Sequence, residues 1–313
     1  MVESKKREGR KKWDFLKKNN KNDLIFYSVM VAFPVLQFCV FYIGVNFNSL
    51  LLIFQKIDIL SNTVTWTLTE NISSALNQLF SVQMLLVAKN SVIVYLLTLF
   101  IGTPLGILFS YYIYKKLALS DVFRVLLFLP SIISSIVMVV MFQYFAERAI
   151  PEIVRILFGK QIRGLIENPD TRFGAILFYN IWAGFGTSVL MYSDSMSTIS
   201  EDIVDSAHLD GATGIREFWY ISLPGVYPTL STFLIVGVAG IFTNQFGLFS
   251  FYGGGAPEDL QTFGYYLYTQ TQGAASQSEY PVLAAFGVCF TLVAVPLTML
   301  VKWFVEKYGP SED

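Results

Sequence analysis

One histidine, His208, and two cysteines, Cys39 and Cys289, are all that 313 residues offer in the way of soft metal ligands. That shortage leaves no imidazole or thiolate cluster for a metal centre and no disulfide framework. Both cysteines fall inside long apolar stretches and read as small packing residues. No GxxxxGK[ST] run occurs, so this chain cannot cradle nucleotide phosphates by a P-loop, and any ATP is handled by a partner. Charge is scarce as well: 14% of residues are charged and 54% hydrophobic, whereas a soluble domain carries about 25% charged residues. The chain is written for lipid.

What is present are six windows without Asp, Glu, Lys or Arg, each near the roughly 20 residues needed to cross a hydrocarbon core. They run from Leu24 to Val45, Asn90 to Tyr114, Val125 to Ala146, Phe173 to Ser193, Thr229 to Phe251 and Tyr280 to Val301. Ion-coupled carriers usually hold their ion with ionisable groups or broken helices at mid-membrane depth. The windows lack the former, which disfavours such a carrier, although backbone carbonyls at a break leave Na⁺ open. A membrane-embedded enzyme is disfavoured by the same shortage of reactive side chains.

Lys and Arg at the span ends set the orientation. The leader, residues 1–23, carries Lys5, Lys6, Arg7, Arg10, Lys11, Lys12, Lys17, Lys18 and Lys21, and an even number of spans returns Lys302 and Lys307 to the same side. Both termini are therefore expected in the cytoplasm of a bacterial-type cell membrane. Lys115, Lys116, Arg124 and Arg216 agree, while the stretch from Glu147 to Arg172 dissents with five basic residues partly balanced by Glu147, Glu152, Glu167 and Asp170. A Lys-rich tail beside a first span is a topology signal attracted to anionic lipid rather than a nucleic-acid site. The expected organisation is a basic leader (1–23), a first span with its extension (24–54), an extracytoplasmic segment (55–89), a core of five spans (90–307) and a short cytoplasmic tail (308–313).

Between the fourth and fifth spans lies the polar run from Asp205 to Pro224, DSAHLDGATGIREFWYISLP. Thr198 and Glu201 have capping-box spacing, which predicts a short helix ending near Leu209, and Asp210-Gly211 supplies a left-handed stop. A second helix is expected from Thr213 to Ser222, with Ile215, Phe218, Trp219 and Ser222 on one face and Pro224 barring its continuation. His208 reads as a solvated or packing residue. Two short helices around a glycine turn, presented away from the membrane, form a part that another protein can grip.

The spacing D-S-A-x-x-D-G-A, followed by Phe218, Ile221, Leu223 and Pro224, resembles the EAA loop of binding-protein-dependent ABC importer permeases. Asn180, Trp182, Gly184 and Phe185 before it, and Asn244, Gln245, Phe246 and Gly253 to Pro257 after it, resemble the carbohydrate, maltose-type branch. The family usually has Glu and Ala where this chain has Asp205 and Ser206. The resemblance implies an all-α polytopic membrane protein of six transmembrane helices with a type I ABC importer permease (MetI-like) core and an EAA coupling loop over 198–224. It implies as partners a second homologous permease subunit, two cytosolic ABC ATPases that bind ATP and Mg, and an extracytoplasmic solute-binding protein, with no cofactor on this chain. Asp205, Ser206, Ala207, Asp210, Gly211, Ala212, Leu223 and Pro224 would then couple to the ATPases.

Carried over in register, Gly184, Thr187, Val238, Ile241, Phe242 and Gln245 fall where the family contacts sugar. Asn180, Trp182, Asn244 and Tyr252 join them as polar or aromatic candidates on the same spans. A sugar needs partners for its hydroxyls and aromatic faces for its CH groups, and no fixed charge. Asn, Gln and Thr in membrane helices also glue helices together, so either role is open to them. Gly237 and Gly240 would allow close approach of a partner subunit, and Gln261 to Tyr268 is a candidate surface for the binding protein. Amino acid or peptide cargo is the alternative on the same architecture.

Overall fold

The computed structural model describes residues 21–58, 63–274 and 276–310. Most of the leader and the last three residues of the tail lie outside the described residues. The first helix, α1 (21–52), passes through a π-helical turn at Phe38–Gly44. A strand pair follows, β1 (Gln55–Asp58) and β2 (Thr63–Trp66), antiparallel with Gln55 opposite Trp66. Then come α2 (Glu70–Leu79), α3 (Val82–Tyr114), α4 (Ser120–Ile132), α5 (Ser135–Phe158), α6 (Arg172–Ser197), α7 (Glu201–Leu209), α8 (215–243), α9 (Leu248–Tyr252), α10 (Phe263–Gly273) and α11 (Tyr280–Tyr308).

Five helical stretches are long and apolar enough to span a bilayer, and α4 with α5 makes a sixth if that bent pair counts as one span. The third span expected from Val125 to Ala146 is thus broken, with the two helices at 107°. Pro130 removes a backbone donor, and Ser131 turns its hydroxyl back onto the Phe128 carbonyl at 2.7 Å. Ile133 and Ser134 then leave helical geometry. The β pair is a second departure from an all-helical reading. It sits in the 55–89 segment, where Asn71 donates to the carbonyls of Ile53 and Gln55 (2.7 and 2.8 Å) and ties α2 to the end of α1.

Packing in the bundle follows the logic of membrane helices, which gain little from hydrophobicity and rely on close approach and hydrogen bonds. Gly186 on α6 lets α4 in: a Cβ there would stand 3.0 Å from the Phe128 Cα. Ser110 on α3 donates to the Val189 carbonyl on α6 at 3.0 Å. Among the described residues four apolar clusters result, and two of them sit at the ends of α6. Phe142, Tyr179, Phe246, Leu248, Phe251 and Tyr265 fill the end near its start, and Ile107, Tyr192, Met196, Phe218 and Val226 the end near the polar loop. The apolar stretch of α1 has no buried residue, so it needs lipid or another chain against it.

Candidate functional site

The polar loop folds as a hairpin, with details that differ from the sequence expectation. Ser200, not Thr198, precedes α7, and no side chain caps it; Thr198 closes α6 and its hydroxyl donates to the Ser195 carbonyl at 2.8 Å. The capping box fails because its threonine is already used by the preceding helix. Gly211 takes the left-handed conformation with φ +78°, Gly211 N–H donates to the His208 carbonyl, and Ala212 N–H to that of Ala207. Asp205, Ser206, Asp210 and Gly211 are exposed along the hairpin tip, and Ala207 and Ala212 half-buried beneath them.

The second helix begins at Ile215 and does not stop at Pro224. A π-helical turn at Phe218–Ser222 shifts the ladder so that Leu223 N–H reaches the Phe218 carbonyl, and Pro224 becomes an early position of the helix that continues to Thr243. A proline without its N–H is tolerated where the bonding pattern is already stepping. Leu223 and Pro224 are half-buried there. Of the expected apolar face, Phe218 and Ser222 turn inward, while Ile215 and Trp219 stay exposed beside Tyr220 and Leu209, the last at 89%. The outcome is an uncovered apolar crown on a polar hairpin.

Glu217 is the buried charge beneath that crown, at 1% exposure. Both its carboxylate oxygens accept from Lys115 Nζ, at 2.9 and 3.0 Å, and one lies 2.9 Å from His208 Nε2. At about 1.5 Å per residue, the 29 helical residues of 215–243 exceed the roughly 30 Å bilayer core. The apolar span read from the sequence begins only at Thr229, so the first turn of this helix, with Glu217, goes with the polar hairpin that precedes it. Burial pushes the Glu217 pKa up, but the bonds and charges of His208 and Lys115 outweigh it and hold the carboxyl below the ordinary range. Beside this trio Tyr111 donates to the Gly214 carbonyl at 3.0 Å and packs its ring edge-on to Phe218. Sequence reasoning assigned no role to Glu217, used Lys115 only as an orientation signal and read His208 as a solvated or packing residue; Lys115 and Glu217, 102 apart in the chain, carry no local signal of their contact.

At the opposite end α8 breaks. Asn244 is extended and Phe246 and Gly247 have positive φ. In lipid a freed backbone group must find a partner, and side chains supply them. Thr262 donates to the Asn244 carbonyl (2.7 Å), Asn244 Oδ1 accepts from Phe246 N–H (2.8 Å), and Asn180 Nδ2 donates to the Phe246 and Ile176 carbonyls (3.2 and 2.8 Å). Asn180 is therefore a strut, with Oδ1 left for other contacts.

Between α3, α6 and α8 runs a cavity of about 280 Å³, lined among others by Tyr95, Thr98, Asn180, Gly184, Ser188 and Gly237. A smaller one of about 120 Å³ adjoins it toward the break, sharing Tyr95, Thr98 and Gly237 and adding Ile241, Asn244 and Thr262. No charged side chain lines either. The structure thus brings Asn180 and Gly184 to one cavity and Ile241 and Asn244 to its neighbour, and adds Tyr95 and Thr98 from α3 to both, which the sequence reading passed over. Thr187 is exposed on α6 and Gln245 half-buried at the break. Trp182 faces an apolar groove with Phe178, Val238 is buried, Phe242 stacks on Phe263, and Tyr252 donates to the Ile166 carbonyl.

Gly237 does not stand free for a partner, since its Cβ would meet the Tyr95 ring at 3.1 Å, whereas Gly240 faces open space. The stretch from Gln261 to Tyr268 is not an exposed docking face either. Thr262, Phe263, Gly264 and Tyr265 are buried, and Gly264 lies so close to α8 that a Cβ would sit 2.3 Å from the Thr243 carbonyl oxygen.

A multi-pass helical membrane protein with a protruding two-helix hairpin and an uncharged cavity behind it has the build of a translocation subunit. Residues 102–311 match the family described as binding-protein-dependent transport system inner membrane component, and the chain belongs to it. It is 28% identical over 210 residues to a probable ABC transporter permease protein of Mycoplasma genitalium, which covers 63% of this chain and 61% of that relative. It is 24% identical over 302 residues to the arabinooligosaccharides transport system permease protein of Halalkalibacterium halodurans, covering 93% and 91%. In fold it is similar to a chain of a bacterial ABC transporter involved in the import of the acidic polysaccharide alginate, with TM-score 0.75, 20% identity, and coverage of 94% and 99%.

Proposed function

We propose that this chain is the permease subunit of an ATP-driven importer for an uncharged sugar or oligosaccharide. The observation that carries the reading is the pairing of an exposed hairpin in the family's coupling position with a cavity of hydroxyl, amide and aromatic groups and no charge. A permease of this family performs no covalent chemistry; two cytosolic ABC ATPases bind ATP and Mg and grip the hairpin through its apolar crown. A second homologous permease completes the path, and an extracytoplasmic binding protein delivers the cargo. Both termini lie in the cytoplasm, and the β pair with α2 lies outside.

The cavity fits a sugar physically. Tyr95 offers a ring face and a hydroxyl, Ser188 and Thr98 offer hydroxyls, and Asn180 keeps an acceptor, whereas an acidic glycan or an amino acid carboxylate would call for a basic group. Similarity to oligosaccharide permeases supports the same class. The test is purification of the assembled complex with its receptor and identification of the bound ligand by mass spectrometry. A neutral saccharide is expected; a peptide or a uronic acid polymer would overturn the cargo assignment.

A further inference from the structure

We propose that Glu217 is a positioning residue for energy coupling: its carboxylate latches the hairpin to the end of α3 through Lys115 and holds α7 against α8 through His208. The inference rests on the coupling reading of the hairpin given above. It goes further in naming what makes hairpin and spans move as one body.

The need for a latch follows from how little else holds α7. That helix has no fully buried residue, only the half-buried Val204 and Ala207, so apolar packing holds it weakly. It joins α8 through a turn with two positive-φ glycines, Gly211 and Gly214, with no heavy atom within 4 Å of where their Cβ atoms would be. The turn itself is tied to α3 at one point, where Tyr111 donates to the Gly214 carbonyl, so the hold on α7 beyond it falls to side chains. Among the described residues, His208 to Glu217 is the one side-chain hydrogen bond from α7 to another helix. Glu217 in turn is tied to Lys115, the residue that closes α3, and α3 lines both cavities with Tyr95 and Thr98.

A push on the hairpin can therefore reach the cavity wall along Glu217, Lys115 and α3, in parallel with the continuous helix α8. A buried carboxylate paired with a lysine is a weak way to add stability, because apolar residues of similar volume do as well or better. It is a directional way to hold one geometry.

The test uses the complete transporter, with its ATPases, in proteoliposomes. Glu217→Gln, Glu217→Asp and the double change Lys115→Met with Glu217→Leu are compared with wild type. The double change removes both charges together, so the complex still assembles, as co-purification of the ATPases reports. ATP hydrolysis is measured with and without the native binding protein, isolated with the cargo it carries. Stimulation by the loaded binding protein is expected to fall about fivefold or more in Glu217→Gln and in the double variant, the scale of a typical coupling free energy, and to recover in part in Glu217→Asp. His208→Gln, which keeps a donor, should outperform His208→Ala.

A second readout comes from spin labels at Leu209→Cys and Leu117→Cys, with Cys39 and Cys289 replaced by serine. The distance distribution is narrow in the wild-type latch and broad without it. Assembled variants with wild-type stimulation and a narrow distribution would overturn the proposal. If the wild-type complex itself binds no ATPase, the coupling reading fails instead, and the two failures are told apart.

Discussion

Replacing Gly211 separates backbone geometry from side-chain contact, because a Cβ there would meet nothing within 4 Å while φ stands at +78°. Alanine adds no clash, only the cost of a left-handed L-residue, about 1 to 2 kcal/mol. That cost lowers the population of the formed turn by a factor of about 5 to 30 wherever the turn is marginal. Proline cannot reach positive φ at all and also loses the N–H that donates to the His208 carbonyl at 3.1 Å, a further loss of about 1 kcal/mol. Asparagine tolerates the left-handed region and should be the mildest. The assay is ATP hydrolysis by the reconstituted complex stimulated by its loaded binding protein, with membrane insertion checked by immunoblot. The expected order of activity is glycine, asparagine, alanine, proline, with insertion unchanged. Asparagine as damaging as proline would refute the turn-geometry argument and make position 211 a contact site.

Three further outcomes follow from the structure. Gly264→Ala drives a methyl into the Thr243 carbonyl across a backbone-to-backbone contact and should destabilise the detergent-solubilised subunit by about 1 to 3 kcal/mol, read as a lower midpoint in thermal aggregation; an unchanged midpoint would contradict the close packing of α10 on α8. Tyr95→Ala should raise the KM for uptake about tenfold or more, a loss of about 1.4 kcal/mol per tenfold, while assembly holds; unaltered uptake kinetics would remove α3 from the path. The Glu217 joint has a depressed carboxyl pKa, so its stabilisation is full above the ordinary value of 4.5 and is lost as pH falls through the lower, folded-state value. Acid broadening of the distance between spin labels at Leu209→Cys and Leu117→Cys should therefore begin below pH 4.5 in the wild type, and Glu217→Gln should flatten that dependence.

The lipid-embedded helices and the hairpin were legible because each rests on a local pattern: charge-free windows of spanning length, and a glycine followed by a second short run. The bend at Ile133 and Ser134 was not, since one proline among serines inside an apolar run is compatible with a straight span as well. Pro224 misled for a related reason. Proline ends a helix only where the backbone has no other adjustment, and the π-helical turn before it provides one. For the cavity, family register led to Gly184 and Ile241 and side-chain polarity to Asn180 and Asn244, whereas Tyr95 and Thr98 carried no signal of their own, because what puts them on the cavity wall is the approach of α3 to Gly237 on α8. The Lys115, His208 and Glu217 trio was invisible for the same reason, being assembled by tertiary contact alone.

The central claim is that a cytosolic ATPase takes hold of the hairpin at its uncovered apolar tip. Leu209→Cys, placed in a variant whose Cys39 and Cys289 are serine, tests it by cross-linking in the assembled transporter in sealed inverted vesicles. A bond to the ATPase subunit that strengthens when ATP and vanadate are added is the expected result. Labelling of that cysteine by a membrane-impermeant maleimide from the outer face of intact cells, with no cross-link to any ATPase, would contradict it.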